Sequence, residues 1–209
     1  SFIVMVDGQH VVPLASSQDH KARDDGDVGP NTGGMGAYSP APVVDARVHE
    51  RIMQEVIMPT VRGMAAEGAP FVGFLYAGLM IDSHGTPNVI EFNCRLGDPE
   101  TQPLLMRLRS DLVSLCESAL DGVLDRESVD WDPRPALGVV MAAGGYPDGY
   151  EKGHVISGLG QEHGDVKVFH AGTSRCDEHV VTAGGRVLCV CALGDTIAAA
   201  QATAYQEVN

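Results

Sequence analysis

Residues 71–103 read FVGFLYAGLMIDSHGTPNVIEFNCRLGDPETQP. Two runs within it, 71–81 and 88–92, have strand composition, and 83–87 (Ser83-His84-Gly85-Thr86-Pro87) between them has turn composition. The stretch predicts a β-hairpin. Glu91 and Asn93 flank Phe92, and successive side chains on a strand alternate between faces, so the two polar groups share a face. A carboxylate beside an amide oxygen suits a hard cation such as Mg2+, which takes oxygen ligands and keeps room for phosphates. If Asp82 pairs with Asn88, Leu79 lies opposite Glu91 and Ala77 opposite Asn93. Neither can ligate, so the hairpin offers at most two protein ligands. The plain alternative is an edge strand with solvated polar residues, because a triplet such as ExN recurs by chance.

The loop after the second run concentrates Arg95, Asp98 and Glu100 around Gly97 and Pro99. Strand-end loops are where a rigid sheet delivers functional groups. Arg95 offers a planar donor fork for phosphate or carboxylate, and Asp98 can accept from an ammonium group. Upstream, residues 16–21 read Ser-Ser-Gln-Asp-His-Lys, and 29–38 read Gly-Pro-Asn-Thr-Gly-Gly-Met-Gly-Ala-Tyr. Gly33, Gly34 and Gly36 let the backbone approach a ligand and aim N–H groups at an anion, with His20 and Lys21 as protonatable donors just upstream. Neither a P-loop nor a dinucleotide fingerprint is present. Residues 15–42 read as one long polar loop, a length that in a compact domain is functional or disordered.

Around these motifs the chain begins with a strand at 2–6 and a return strand at 11–14. Asp45 is placed to cap a helix running to about residue 67, with Val48, Ile52, Val56, Met64 and Ala65 as its apolar stripe. Pro59 should kink that helix and Gly68 should end it. Ser110 is expected to cap a second helix, on which Leu112, Leu115, Cys116, Ala119, Leu120 and Val123 recur at helical spacing. After a Pro-bearing stretch at 125–135 the pattern changes to short strands at 137–143, 154–157, 166–170 and 187–192. Asp195 then opens an Ala-rich helix reaching Asn209. The expected fold class is α+β. Residues 1–130 form a largely antiparallel sheet backed by helices, and 131–209 form a small β-rich domain carrying the last helix.

Composition narrows the partners. Hydrophobic residues make up 44% of the 209, enough for a buried core. The formal net charge of −14 disfavours nucleic acid and anionic membranes, so any phosphate must be held by a metal or a few placed donors. No apolar run reaches the length of a membrane span. The five cysteines are odd in number, form no CxxC and read as reduced thiols of a cytoplasmic protein. The histidines form no zinc-site pattern.

Taken together, residues 17–21, 29–38, the run from Gly73 to Pro103, 138–147 and 180–193 resemble the glycinamide ribonucleotide synthetase (phosphoribosylamine–glycine ligase) family of the ATP-grasp superfamily. The resemblance runs over essentially the whole chain, and the GFLYAGLMID and IEFNCRLGDPETQP stretches are long enough to be specific. It implies ATP-dependent joining of glycine to 5-phosphoribosylamine through glycyl phosphate, with ATP as cosubstrate and Mg2+ or Mn2+ as the metal. It places metal ligation on Glu91 and Asn93 and charge stabilisation on Arg95. It places glycine or phosphoribosyl contacts on Asp19, His20, Lys21, Asn31, Thr32, Gly33, Gly34, Met35 and Asp98. The intact enzyme is expected to be monomeric, with small-molecule partners only.

The family's N-terminal Rossmann-like domain, its lid and the first part of the ATP-grasp core have no counterpart before Ser1. The 209 residues are therefore expected to be a fragment, with 1–130 the C-terminal part of the ATP-grasp domain. That fragment is expected to be inactive alone and prone to self-association through an exposed sheet edge near 2–6. Two rivals remain: a non-catalytic partner-binding module, and another ATP-grasp carboxylate–amine ligase.

Overall fold

A computed structural model describes residues 1–160 and 164–208. The strands of the first half are β1 (Phe2–Asp7), β2 (Val11–Pro13), β3 (Gln18–Asp24), β4 (Val28–Ser39), β5 (Val72–Ile81) and β6 (Pro87–Asn93). Those of the second half are β7 (Ala136–Ala142), β8 (Val166–His170), β9 (Thr173–Cys176), β10 (His179–Thr182) and β11 (Arg186–Leu193). The α-helices are α1 (Ala46–Ile52), α2 (Met58–Ala66), α3 (Thr101–Arg107), α4 (Leu112–Leu120) and α5 (Ile197–Val208). All strand pairings among these elements are antiparallel, the α+β arrangement expected from the sequence.

The chain divides into two compact units that interleave in sequence. The first takes Ser1–Ser17, Pro40–Gly97 and Leu108–Asp132; the second takes Gln18–Ser39, Asp98–Arg107 and everything from Pro133.

In the first unit a four-stranded sheet runs β2-β1-β5-β6. Phe2, Val4 and Val6 of β1 and Leu75 and Ala77 of β5 form one core with Val48, Ile52, Val56, Ile57 and Val61 of the helical segment. Asp45 caps α1 by accepting from the Val48 N–H at 2.8 Å. Between α1 and α2 lies a π-helical turn, Met53–Ile57. Its physical origin is Pro59, which has no N–H to donate one turn back and whose ring crowds the carbonyl there. Val61, rather than the expected Met64 and Ala65, supplies the inward residue of α2. Gly68, at φ +80°, ends the segment.

Two expectations are corrected in this unit. β1 pairs with β2 on one side and β5 on the other, and Phe2–Val6 are buried. The strand is interior because β5, distant in sequence, covers the edge that the local pattern left open. The second helix is capped by Asp111, whose carboxylate accepts from Ser114 N–H at 2.8 Å, while the Ser110 hydroxyl accepts from Asp130 N–H. Leu115 and Ala119 of α4 are buried, whereas Leu120 is 79% exposed.

The second unit is a five-stranded sheet, β3-β4-β7-β11-β8, with α3 and α5 packed against it and the β9–β10 ribbon beside it. Here the expected long loop is largely sheet. β3 and β4 pair with each other, and Gly36–Ser39 of β4 also pair with Val139–Ala136 of β7. Glycines carry little strand signal of their own, yet here Gly36 is required. A Cβ at that position would lie 2.6 Å from the Gly138 carbonyl oxygen, so only glycine lets the two backbones pair this closely.

The expected strand at 154–157 is reduced to a single bridge, Val155 to Val181. Cys189 and Cys191 share a face of β11 as free thiols with their sulfurs 3.6 Å apart. The hydrogen bond with Cys189, together with burial, pushes the Cys191 thiol far up. Thr196, not Asp195, caps the last helix, its hydroxyl accepting from Ala199 N–H at 3.1 Å. Asn209, the expected end of that helix, lies outside the described residues. No helix among the described residues is long and apolar enough to cross a membrane.

Candidate functional site

The first unit carries the hairpin. Asp82 opens its turn with a carboxylate that accepts from the N–H groups of His84 and Thr86, each at 2.8 Å. These bonds, led by that from Thr86, hold its carboxyl below the usual range. Asn88 therefore pairs with Met80, not Asp82. A register shift between Gly78 and Leu79 then leaves Ile90 as an extra residue on β6. Beyond that bulge Glu91 lies opposite Gly78 and Asn93 opposite Tyr76, correcting the expected partners Leu79 and Ala77.

The shared face survives the correction, because Glu91 and Asn93 are still two residues apart beyond the bulge. Gly78 leaves room for the acid: a Cβ there would sit 3.0 Å from Glu91 Cγ. Neither opposite residue adds an acidic ligand, so this hairpin supplies one carboxylate and one amide oxygen. That donor pair fits a hard divalent cation whose remaining positions are filled by water or phosphate. Among the described residues there is no cluster of three His, Cys, Asp or Glu side chains suited to a metal.

Arg95 follows directly. Its guanidinium lies 5.9 Å over the Tyr76 ring and donates to the Leu96 carbonyl at 2.9 Å. Tyr76 is itself fixed by a 2.9 Å hydrogen bond between its hydroxyl and that of Ser1. The cation is thus anchored beside Asn93 while remaining exposed.

The second unit holds the other candidates. On the β3–β4 ladder His20 faces Gly36 and Ala22 faces Asn31, so residues 32–35 bulge outward opposite Lys21. Internal bonds shape the bulge. Thr32 Oγ1 donates to the Lys21 carbonyl at 2.8 Å and accepts from Gly34 N–H at 3.0 Å. The Gly33 N–H donates to the Tyr146 hydroxyl at 3.1 Å. Two of the three N–H groups expected to face an anion, those of Gly33 and Gly34, therefore have protein acceptors. The glycines answer to close packing instead: a Cβ on Gly34, at φ +116°, would collide with Pro99, and one on Gly33 would meet the Arg186 guanidinium at 3.0 Å.

Lys21 Nζ lies 3.8 Å from Asp19. His20 packs its ring 5.4 Å from that of Tyr38 and, with Met35, lines a cavity of about 390 Å³ reaching Gln201 and Tyr205 of α5. Asp98 lines a different cavity, of about 460 Å³, with Gln102, Tyr146 and Arg186. The Gln102 Oε1 is buried there without a hydrogen-bond partner.

Sequence reading missed Arg186 and Tyr146. Both act on residues more than a hundred positions away, Arg186 on Gly33 and Tyr146 on Gly33, and no local spacing announces such a contact.

A model of the phosphoribosylglycinamide synthetase ATP-grasp (A) domain matches residues 1–101, and a model of the C domain of the same synthetase matches residues 136–209. The chain belongs to the phosphoribosylglycinamide synthetase family. It is 71% identical, over 100% of its own length and 49% of the relative's, to a phosphoribosylamine–glycine ligase of Allochromatium vinosum. A Vibrio cholerae protein of the same name is 67% identical over 99% of this chain and 48% of its own. The crystal structure of a phosphoribosylamine–glycine ligase from Thermotoga maritima superposes with a TM-score of 0.89 at 37% identity, covering 99% of this chain and 51% of that one. The chain thus spans about half the length of the synthetase relatives it matches.

Proposed function

We propose that the protein to which these residues belong joins glycine to 5-phosphoribosylamine at the expense of ATP, giving glycinamide ribonucleotide, ADP and phosphate. The observation that carries this reading is the 71% identity over the entire chain to a protein named for that ligation. In the first step a glycine carboxylate oxygen attacks the γ-phosphorus of ATP, the bond to the bridging oxygen breaks, and ADP leaves. In the second, the amine nitrogen of phosphoribosylamine attacks the carbonyl carbon of glycyl phosphate. Phosphate leaves with the C–O electron pair and the nitrogen loses a proton.

In this reading Glu91 and Asn93 hold Mg2+ or Mn2+, and Arg95 holds the transferring phosphoryl oxygens. The metal, when bound, offsets phosphate charge as a Lewis acid. Arg95 suits its task because it is preorganised over Tyr76 and needs little reorientation as negative charge develops. Asp98 and the segments 19–21 and 31–35 orient glycine or the phosphoribosyl group. The division into an ATP-grasp part at 1–130 and a C-terminal domain at 131–209 belongs to the same proposal, as do a monomeric intact enzyme and a cytoplasmic location.

The test is Glu91→Gln in the full-length chain. Glu91 is exposed, so the variant keeps the wild-type thermal transition while turnover falls on the order of a hundredfold or more. Wild-type turnover at ordinary Mg2+ would overturn the metal assignment.

A further inference from the structure

We propose that Arg186, the first residue of β11, is a positioning residue that holds the 32–35 bulge and the Asp98 carboxylate in one fixed relation; the substrates it serves rest on the ligase reading above. Arg186 Nη1 donates to the Gly33 carbonyl at 2.7 Å, with the Gly34 carbonyl at 3.3 Å and the Asp98 carbonyl at 3.4 Å. Its Nη2 donates to Asp98 Oδ2 at 2.8 Å. A planar guanidinium presents its donors in a rigid fork, so one side chain can grip backbone oxygens and a carboxylate together. A lysine ammonium offers a single point of attachment.

The grip is completed from the other side. Tyr146 accepts the Gly33 N–H while Arg186 takes the Gly33 carbonyl, so both polar groups of that residue are held by side chains from beyond residue 140. Glycine at position 33 suits this arrangement, since a Cβ there would lie 3.0 Å from the guanidinium and make it shift. Pro99 backs Gly34 at the distance only glycine permits.

The consequence falls on Asp98. Its Oδ2 is committed to Arg186, yet its side chain remains 61% exposed at the wall of the 460 Å³ cavity. The carboxylate is therefore presented to an amine-bearing substrate in a set direction. A carboxylate and bulge left to rotate would have to be ordered at each binding event, a cost paid in apparent affinity.

The experiment compares full-length wild type with Arg186→Met and Arg186→Lys. Steady-state constants are measured for ATP, glycine and phosphoribosylamine, alongside amide hydrogen exchange over residues 31–36. In Arg186→Met the KM for glycine or phosphoribosylamine should rise about tenfold or more, and that for ATP should stay within about twofold. Exchange over 31–36 should speed up by about tenfold, and Arg186→Lys should recover part of both effects. Wild-type KM values for both amine substrates in Arg186→Met would overturn the assignment. So would an equal loss for all three substrates with unchanged exchange. Failure of the wild-type enzyme to join glycine to phosphoribosylamine would refute the ligase reading instead; the lock is then decided by exchange alone, and unchanged exchange in Arg186→Met would end it.

Discussion

Asp7 ties the β1–β2 turn to the segment after α4, and replacing it should cost the first unit stability in a pH-dependent way. Its Oδ1 accepts from the N–H groups of Gln9 at 3.0 Å and His10 at 2.6 Å. Its Oδ2 accepts from Leu124 N–H at 3.1 Å and lies 3.0 Å from His10 Nδ1. Burial, with the side chain only 1% exposed, pushes the carboxyl upward, but these hydrogen bonds outweigh it and bring the pKa from the ordinary 3.8 down to about 2. A group with a depressed folded pKa stabilises fully above its unfolded value and loses that contribution as pH falls through the folded one. The shift corresponds to about 2 kcal/mol at neutral pH, falling to about half of that near pH 3. Asp7→Asn keeps the shape and removes the charge. Trp131, the one tryptophan in the sequence, belongs to the same unit, so its fluorescence in urea reports the relevant unfolding. The gap between wild type and Asp7→Asn should be about 2 kcal/mol at pH 7 and shrink as pH drops from about 4 toward 2. A gap that stays constant across that range, or is absent at pH 7, would refute the reasoning.

Gly36→Ala should destabilise the second unit by about 2 kcal/mol, because the new methyl meets the Gly138 carbonyl inside a paired ladder; urea unfolding followed by far-ultraviolet circular dichroism checks this, and an unchanged midpoint contradicts it. The 209-residue chain by itself spans about half of its relatives and should neither bind ATP with micromolar affinity nor release phosphate with glycine and phosphoribosylamine. Calorimetric titration and a phosphate assay decide that point.

The parts of the fold legible in the sequence were those set by short-range periodicity. Asp45 sits one residue before a run that buries Val48 and Ile52, and its cap is where local chemistry puts it. The alternation Glu91-Phe92-Asn93 gave the shared face, since successive side chains on a strand point to opposite faces regardless of register. The register itself was not legible, because neither the Ile81–Pro87 pairing beside the turn nor the extra Ile90 is marked by the residue pattern. Residues 28–39 looked like loop because their glycines give no alternating pattern to mark the local pairing with β3, and the second partner of Gly36–Ser39, β7, lies about a hundred residues on. Ser110 and Asp111 are both good caps, and only the fold's use of Ser110 to hold Asp130 separates them. Arg186 was invisible because its partners, Gly33 and Asp98, are 153 and 88 residues away.

The most direct measurement of the central claim follows oxygen. Glycine labelled with 18O in its carboxylate is turned over by the full-length enzyme with ATP, Mg2+ and phosphoribosylamine, and the released phosphate is analysed by mass. Attack of the carboxylate on the γ-phosphorus, followed by amine displacement at the acyl carbon, carries one glycine oxygen into each phosphate. The account predicts singly labelled phosphate in step with glycinamide ribonucleotide; unlabelled phosphate alongside that product, or no product at all, would contradict it.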